Sequence, residues 1–153
     1  MTAAVSTNGP AALRRGRPGQ EAVSLLETAR RGLAEAATLD LPPQRYATAH
    51  LSALRAAAAV LAARARPENT NHRRRPTSAW VLLTTVAPEL GEWAAFFAAG
   101  ATKRAAAEAG LPRAVTAREA DDLVRDADTF LAVVETTLGM PSQSALPVGS
   151  RAG

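Results

Sequence analysis

The chain has 153 residues, of which 47% are hydrophobic but only 4% aromatic, so one domain packed through small side chains is expected and a strand-rich fold is disfavoured. Its formal net charge is +4, carried almost wholly by arginine with Lys103 the one lysine, a bias typical of GC-rich codon usage rather than of nucleic-acid binding. The lack of cysteine excludes disulfides, thiolate metal ligands and cysteine nucleophiles. No segment has the pattern of a signal peptide or a membrane span, and we expect a cytoplasmic protein.

The two ends of the chain have the composition of tails. Residues 1–18 mix threonine, serine, glycine, proline and arginine without a sustained hydrophobic period, and residues 140–153 contain two prolines and two glycines. Segments of this kind bury too little apolar surface to fold, so we expect both to be disordered. Residues 19–139 are predicted to form one helical domain.

Two helices are predicted in the first half of this domain. The first spans about residues 20–37, where apolar side chains recur every three or four positions. The second begins near Pro43, since proline suits a first helical turn, and continues to about Arg66 before Pro67. Its many alanines predict a smooth face that another helix approaches closely. A polar joint, residues 67–76, follows it.

The third helical segment is predicted to be kinked or split near Pro88, because proline lacks a backbone donor and clashes with the preceding turn of a helix. The segment begins after Thr77 or Ser78 and reaches about Ala109. Both tryptophans and two of the three phenylalanines lie in it. We therefore predict that this segment packs at the centre of the core.

The last helix has the clearest start. Thr116 and Glu119 have the spacing of a capping box, in which each side chain satisfies a free backbone N–H of the first turn. The helix is predicted to run to about Leu138 and to stop at Gly139. Helices joined by short connections pack most economically side by side, so the predicted fold is an all-α, antiparallel four-helix bundle.

Two histidines are available for acid–base chemistry. His72 lies in the polar joint, where a solvated loop residue is the simplest interpretation. His50 follows Arg45 by five positions, and such a pair could cleave RNA, since histidine moves protons to or from ribose oxygens and arginine holds phosphate. Five helical positions are about 140° apart, so the two side chains do not converge if both are helical. The alternative for His50 is a hydrogen-bonded core or interface histidine.

Clusters of charge offer weaker signals. The run Arg73, Arg74 and Arg75 is a candidate RNA contact, and the alternative is a solvated turn, since no aromatic residue is interleaved with it to stack on bases. The acidic residues of the last helix are interpreted as a solvated face, because the Glu-x-x-His pairs of a di-iron bundle are missing from the sequence. Glycine-rich phosphate loops, nucleophile elbows and zinc motifs are missing as well, so we predict no metal and no cofactor.

Four groups of segments carry a family resemblance: Leu25–Ala34, Arg45–Leu51 with Leu54–Leu61, Trp80–Leu83 with Ala87–Phe97, and Val115–Leu123. Over roughly residues 20–138 the chain resembles the HEPN (higher eukaryotes and prokaryotes nucleotide-binding) superfamily, in an actinobacterial SAV-type branch. The resemblance implies a helical bundle, commonly dimeric, that is either a metal-independent endoribonuclease or a noncatalytic partner of a nucleotidyltransferase.

The usual HEPN signature is an arginine followed after four to six residues by a histidine, a spacing that Arg45 and His50 satisfy. In the superfamily this signature usually lies around the last core helix, where the present chain has no histidine. The resemblance covers the helical domain and leaves both tails outside it.

The leading functional hypothesis is a self-associating HEPN-like domain that binds RNA or cleaves it without a metal. In a cleaving enzyme His50 would be the general acid–base and Arg45 the phosphate clamp, with two copies meeting across a two-fold axis to complete the site. The alternative is a noncatalytic helical interaction module that binds a partner protein. A DNA-binding regulator is a third option that lacks a helix-turn-helix signal. The sequence leaves open whether the protein is an enzyme.

Overall fold

The computed structural model describes residues 19–64 and 78–141, so the predicted N-terminal tail, the predicted C-terminal tail from residue 142 onward, His72 and the run Arg73, Arg74 and Arg75 lie outside the described residues. Within these two ranges the chain forms α1 (Gln20–Thr38), α2 (Pro42–Arg64), α3 (Ala79–Val86), a 3-10 turn (Pro88–Leu90), α4 (Gly91–Ala99), α5 (Ala101–Glu108) and α6 (Ala117–Thr137). No strand occurs in them, and the predicted all-α class is confirmed. The antiparallel four-helix arrangement stays a prediction.

The helix ends follow local chemistry. Thr116 Oγ1 accepts a hydrogen bond from the Glu119 backbone N–H at 3.0 Å, and Glu119 Oε1 accepts one from the Thr116 N–H at 2.9 Å, so the predicted capping box is confirmed. α6 ends at Thr137, and the chain turns away from it at Gly139, whose φ of 75° is the left-handed conformation that glycine adopts without strain. The Met140 N–H then donates to the Glu135 carbonyl at 2.8 Å, which closes the last turn.

The break between α3 and α4 comes from one proline. Ala87 has φ −135° and ψ 75°, outside the helical region, because the residue before a proline is pushed away from it. Pro88 then opens the 3-10 turn that leads into α4. The aromatic residues on either side of this break consequently lie on separate helices.

α2 is the helix around which the others pack, contacting α1, α3, α5 and α6. Its buried residues are mainly alanines, which are small enough to let neighbouring helices approach closely. The predicted central position of the aromatic-rich third segment is therefore only part of the arrangement. The aromatic residues of that segment fill the core with large side chains. The alanine-rich α2 is the helix against which α1, α3, α5 and α6 pack.

An aromatic cluster of Trp80, Trp93, Phe97 and Phe130 fills the space between α3, α4 and α6. Phe97 and Phe130 are fully buried, with ring centroids 5.1 Å apart. Trp80 stacks on Phe97 at 5.2 Å, and Trp93 lies 5.5 Å from Phe130. Phe96, next in sequence to Phe97, is 45% exposed and meets the cluster edge-on, with its ring centroid 5.0 Å from that of Phe97.

An ion-pair cluster of Arg30, Asp128 and Glu135 joins α1 to α6. The Arg30 guanidinium donates from Nε and Nη2 to the two carboxylate oxygens of Glu135 at 2.9 and 2.8 Å, and from Nη1 to Asp128 Oδ1 at 2.6 Å. The Arg30 and Glu135 side chains are 11% and 4% exposed. Burial on its own would lower the pKa of Arg30, but the hydrogen bonds to these carboxylates raise it above its ordinary value. The guanidinium therefore stays charged.

The contact between α1 and α2 is closest at Gly32. A Cβ placed on Gly32 would lie 2.7 Å from Ser52 Oγ and 3.9 Å from Ser52 Cβ. Ser52 is fully buried and its hydroxyl has no hydrogen-bond partner among the described residues. The serine oxygen, and not the backbone of α2, is thus what excludes a methyl group from position 32.

This geometry predicts that the effect of Gly32→Ala changes sign with residue 52. In the wild-type background the added methyl overpacks the contact, a fault that costs about 1–3 kcal/mol and outweighs the gain of about 1 kcal/mol in helix propensity. In a Ser52→Ala background the oxygen is gone, and Gly32→Ala should stabilise the fold. Urea denaturation of the four chains measures both effects. The same sign in both backgrounds would contradict the contact as described.

Candidate functional site

His50 lies on α2 with its imidazole inside the fold. The side chain is 1% exposed, and Nε2 lies 2.9 Å from the Phe97 carbonyl oxygen. A carbonyl only accepts hydrogen bonds, so Nε2 carries the proton and donates it. Nδ1 is then the acceptor nitrogen of a neutral ring, and it has no hydrogen-bond partner among the described residues. The protonated ring nitrogen, Nε2, therefore already donates its hydrogen bond to a backbone carbonyl.

The Phe97 carbonyl stands at the joint between α4 and α5. It also accepts a hydrogen bond from the Gly100 N–H at 3.0 Å, so His50 supplies a second donor to a helix end. A Cβ on Gly100 would lie 2.8 Å from the Tyr46 hydroxyl oxygen and 3.8 Å from His50 Cδ2. Gly100 is therefore required by the close approach of α2 to this joint.

A pocket of about 250 Å³ opens beside His50, lined by Tyr46, His50, Phe96, Phe97, Ala99, Gly100 and Leu123. Tyr46 stacks on His50 with ring centroids 6.4 Å apart, as expected for side chains one helical turn apart on α2. The walls are mostly aromatic and aliphatic carbon. At the α5–α6 side, Lys103 Nζ donates to Glu119 Oε2 at 2.9 Å, and the charges of these two groups act on the pKa of Tyr46.

The protonation states in and near the pocket follow from burial. Burial lowers the pKa of His50 below its ordinary value of 6.5, and the hydrogen bond to the Phe97 carbonyl offsets this only in part. Burial likewise raises the pKa of the Tyr46 hydroxyl. At neutral pH the imidazole and the phenol are both uncharged.

The lowered pKa of His50 makes the stability of the fold depend on pH. Below pH 6.5 the imidazole of the unfolded chain binds a proton, whereas the folded chain resists it until lower pH. The unfolded state therefore binds more protons in this window, and the free energy of unfolding falls as the pH falls. We expect the loss to set in as the pH falls through about 6.5, with a slope from this residue of up to about 1.4 kcal/mol per pH unit. Urea denaturation at a series of pH values measures it.

His50→Gln is the matched control, because a glutamine amide reaches the Phe97 carbonyl as a donor and does not titrate. The difference in slope between the two chains isolates His50 from the carboxylates that they share. Identical pH profiles would show that His50 is protonated as easily in the folded state as in the unfolded one.

Arg45 lies in the first turn of α2, where it ties the α1–α2 connection to α6. Its Nη1 donates to the carbonyl oxygens of Leu39 and Asp40 at 2.7 and 3.2 Å, and its Nε lies 3.0 Å from Asp121 Oδ1. The Arg45 side chain is 12% exposed and that of Asp121 is 55% exposed. Arg45 is thus the more buried partner of its ion pair with Asp121.

The structure does not bring Arg45 and His50 together within one chain. The two residues are about 140° apart around α2, and the buried alanine stripe that includes Ala49 and Ala53 lies between them. Their contacts on α6 diverge as well, since Arg45 pairs with Asp121 whereas Leu123 lines the pocket beside His50. Residues two apart on a helix face directions about 200° apart. The packed face of α2 therefore separates the predicted clamp from the predicted acid–base.

Sequence reasoning placed His50 but missed the residues that surround it. Tyr46 at four positions before His50 was a detectable signal, because that spacing puts both rings on one face of a helix. Phe96, Gly100 and Leu123 come from α4, the joint and α6, and nothing in their local sequence links them to α2. No group of three or more histidine or acidic side chains within the described ranges is arranged to hold a metal ion. None of the described helices has the length and hydropathy of a membrane-spanning segment.

Comparison with known protein families finds a match over most of the helical domain. A family model described as SAV_6107-like HEPN matches residues 34–135, about two thirds of the chain. The matched range begins within α1 and ends near the close of α6, so it includes α2 through α5 entire. No curated protein and no solved structure gives a significant match.

Proposed function

Because the chain belongs to the SAV_6107-like HEPN family, we propose that it is a noncatalytic HEPN-type helical module that binds a partner protein. In this proposal α1, α2, the interrupted segment α3–α5 and α6 are the four units of an antiparallel bundle over residues 19–139. The observation that carries the proposal is the engagement of both Arg45 and His50 in contacts that hold the fold together.

A general acid–base must reach the proton that it transfers, directly or through one water. His50 is 1% exposed and its N–H donates to the Phe97 carbonyl, so proton transfer to a ribose would first break a buried hydrogen bond. A phosphate clamp must offer free guanidinium donors. Arg45 uses its Nη1 on two carbonyls, and its Nε faces Asp121. Both groups are engaged in structural contacts, which argues against a catalytic role for this pair.

The second candidate is metal-independent RNA cleavage with His50 as acid–base and Arg45 as phosphate clamp. The specific observation in its favour is that the His50 ring lines a pocket with volume for a ligand, while Nδ1 has no partner within the described part of the chain. This candidate needs a second copy to bring an Arg45 to the pocket of its neighbour, since one chain keeps the two residues apart. It would also give the run Arg73, Arg74 and Arg75 a role in RNA binding.

An RNA cleavage assay separates the two candidates. The full chain, incubated with end-labelled single-stranded and hairpin RNA in the presence of EDTA, is expected to release no fragments beyond those released by the Arg45→Gln and His50→Gln variants. Sedimentation of the same samples reports whether two copies associate. Fragments that appear with the wild-type chain and vanish with both folded variants would overturn the noncatalytic assignment and establish the second candidate.

A further inference from the structure

The pocket beside His50 is walled largely by rings. Tyr46, His50, Phe96 and Phe97 each contribute a ring to its lining, and the other lining residues are aliphatic or glycine. Its volume of about 250 Å³ exceeds the roughly 150 Å³ of a protein cavity that holds benzene, so one aromatic ring with a substituent fits. Aromatic rings pack favourably against one another, edge to face or offset. The walls therefore favour an aromatic guest.

The Tyr46 hydroxyl is a polar group without a partner at this pocket. The residue is 6% exposed, and its hydroxyl makes no hydrogen bond with any described residue. The oxygen is nevertheless open, since it is not among the fully enclosed side-chain atoms that lack a partner. A Cβ on Gly100, which also lines the pocket, would lie 2.8 Å from this oxygen, so the hydroxyl lies at the pocket wall. A phenolic hydroxyl can both donate and accept a hydrogen bond.

The imidazole of His50 offers a guest less than the Tyr46 hydroxyl does. Its Nε2 donates to the Phe97 carbonyl, and its Nδ1 is fully enclosed. Neither ring nitrogen is thus available to a guest without a rearrangement of the protein. Among the described side chains that line the pocket, the Tyr46 hydroxyl is therefore the group that can choose between one aromatic guest and another.

The charges around the pocket are paired. Lys103 Nζ donates to Glu119 Oε2 at 2.9 Å, and this pair acts on the pKa of Tyr46. Arg104 Nη1 donates to Glu108 Oε2 at 2.7 Å, and this pair acts on the pKa of the neighbouring histidine. An ionic guest would lose water without gaining an unpaired counter-charge from these groups. The surroundings of the pocket therefore favour a guest without net charge.

We propose that this pocket binds a small, neutral aromatic molecule that carries one hydrogen-bonding group, with a phenol as the simplest member of the class. The ring of the guest packs among the ring walls, and its polar group forms a hydrogen bond with the Tyr46 hydroxyl. Such a site goes beyond the partner-binding function proposed above and does not depend on it.

A comparison of p-cresol with toluene tests the hydrogen bond, because the two molecules differ only in one hydroxyl. Each is titrated into the full chain labelled with ¹⁵N, and the amide shifts of Gly100 and Leu123 are followed by NMR. Tyr46→Phe removes the protein hydroxyl and keeps the ring, and the fold loses no described hydrogen bond with it. The ratio of p-cresol affinity to toluene affinity is expected to be roughly three- to tenfold lower in Tyr46→Phe than in the wild-type chain, the scale of one neutral hydrogen bond.

Phe96→Ala tests where the two molecules bind. Phe96 is 45% exposed, so its loss should leave the fold intact, whereas the missing ring wall should weaken p-cresol and toluene alike by about threefold or more. Val81→Ala is the matched control, because Val81 is an apolar residue that is 57% exposed and lies outside the pocket lining. Both affinities should survive it unchanged.

Two charged phenols test the preference for a neutral guest. At neutral pH 4-hydroxybenzoate is an anion and 4-hydroxybenzylamine is a cation, and both carry the same phenol ring as p-cresol. Each should bind at least severalfold more weakly than p-cresol, because the nearby ammonium, guanidinium and carboxylate groups are already paired with one another.

Several results would overturn the proposal. They are an affinity ratio that Tyr46→Phe leaves unchanged, binding that Phe96→Ala does not weaken, shifts that map away from the pocket, tighter binding of either charged phenol, and no binding of p-cresol up to its solubility limit. Binding of acetyl-tyrosine-methylamide that is about tenfold or more tighter than that of p-cresol would also overturn it. That result would assign the pocket to a tyrosine side chain of a partner protein instead of a free small molecule.

Discussion

Replacing Phe130 by alanine is expected to lower the free energy of unfolding by about 3–5 kcal/mol. The ring is fully buried on α6 and lies 5.1 Å from Phe97, 5.5 Å from Trp93 and 6.2 Å from Trp80, measured between centroids. Its removal deletes the group through which α6 meets the aromatic residues of α3 and α4, and rigid aromatic neighbours collapse poorly into the cavity that it leaves. Urea or guanidinium denaturation followed by far-ultraviolet circular dichroism measures the loss.

Phe96→Ala is the matched control for this loss, because it removes the same side chain from a site that is 45% exposed. Its cost should stay below about 1 kcal/mol, as for most substitutions outside the core. Equal losses for the two variants would mean that the aromatic cluster is packed differently from the arrangement described above.

Replacing Arg30 by methionine is expected to cost about 3–5 kcal/mol, the penalty for breaking a buried ion pair by removing one partner. The Glu135 carboxylate, 4% exposed, would lose its two-pronged contact, and Asp128 would lose a hydrogen bond of 2.6 Å. Methionine preserves much of the volume and the helix propensity of arginine, so the loss reports the charge contacts. Thermal or chemical denaturation at neutral pH measures it.

Arg104→Met tests whether this cost is specific to burial. Arg104 also pairs with a carboxylate, Glu108 at 2.7 Å, but the Glu108 side chain is 50% exposed and the pair lies within one helix. Such pairs contribute about 0.3–0.5 kcal/mol. Adding Glu135→Leu to Arg30→Met should restore part of the stability, because it removes a buried carboxylate that has lost its guanidinium contact. A double variant less stable than Arg30→Met would contradict this explanation.

The features of the fold that the sequence predicted are those with local causes. The capping box at Thr116 depends on residues three positions apart, and the interruption at Pro88 depends on the effect of one proline on the residue before it. Hydrophobic spacing likewise placed helices close to where the structure has them. The sequence did not predict that α2 contacts four other helices. A high alanine content indicates a helix, but it does not indicate how many other helices will pack against it.

The candidate site was harder to predict because it is assembled from distant segments. The spacing of Arg45 and His50 allowed either a catalytic pair or two structural residues, and the choice depends on which groups the other helices present to them. The Phe97 carbonyl lies 47 residues from His50 in sequence, and Asp121 comes from the last helix. No local pattern specifies such partners.

The Arg30, Asp128 and Glu135 cluster also bears on the order in which the protein can fold in the cell. Its members are as many as 105 positions apart, so a chain emerging from the ribosome exposes the guanidinium long before either carboxylate has been made. α1 and α2 can pair early, since they are neighbours in the chain. The native state must wait for the last helix to be translated, and we expect chains arrested before α6 to be poorly protected from proteases.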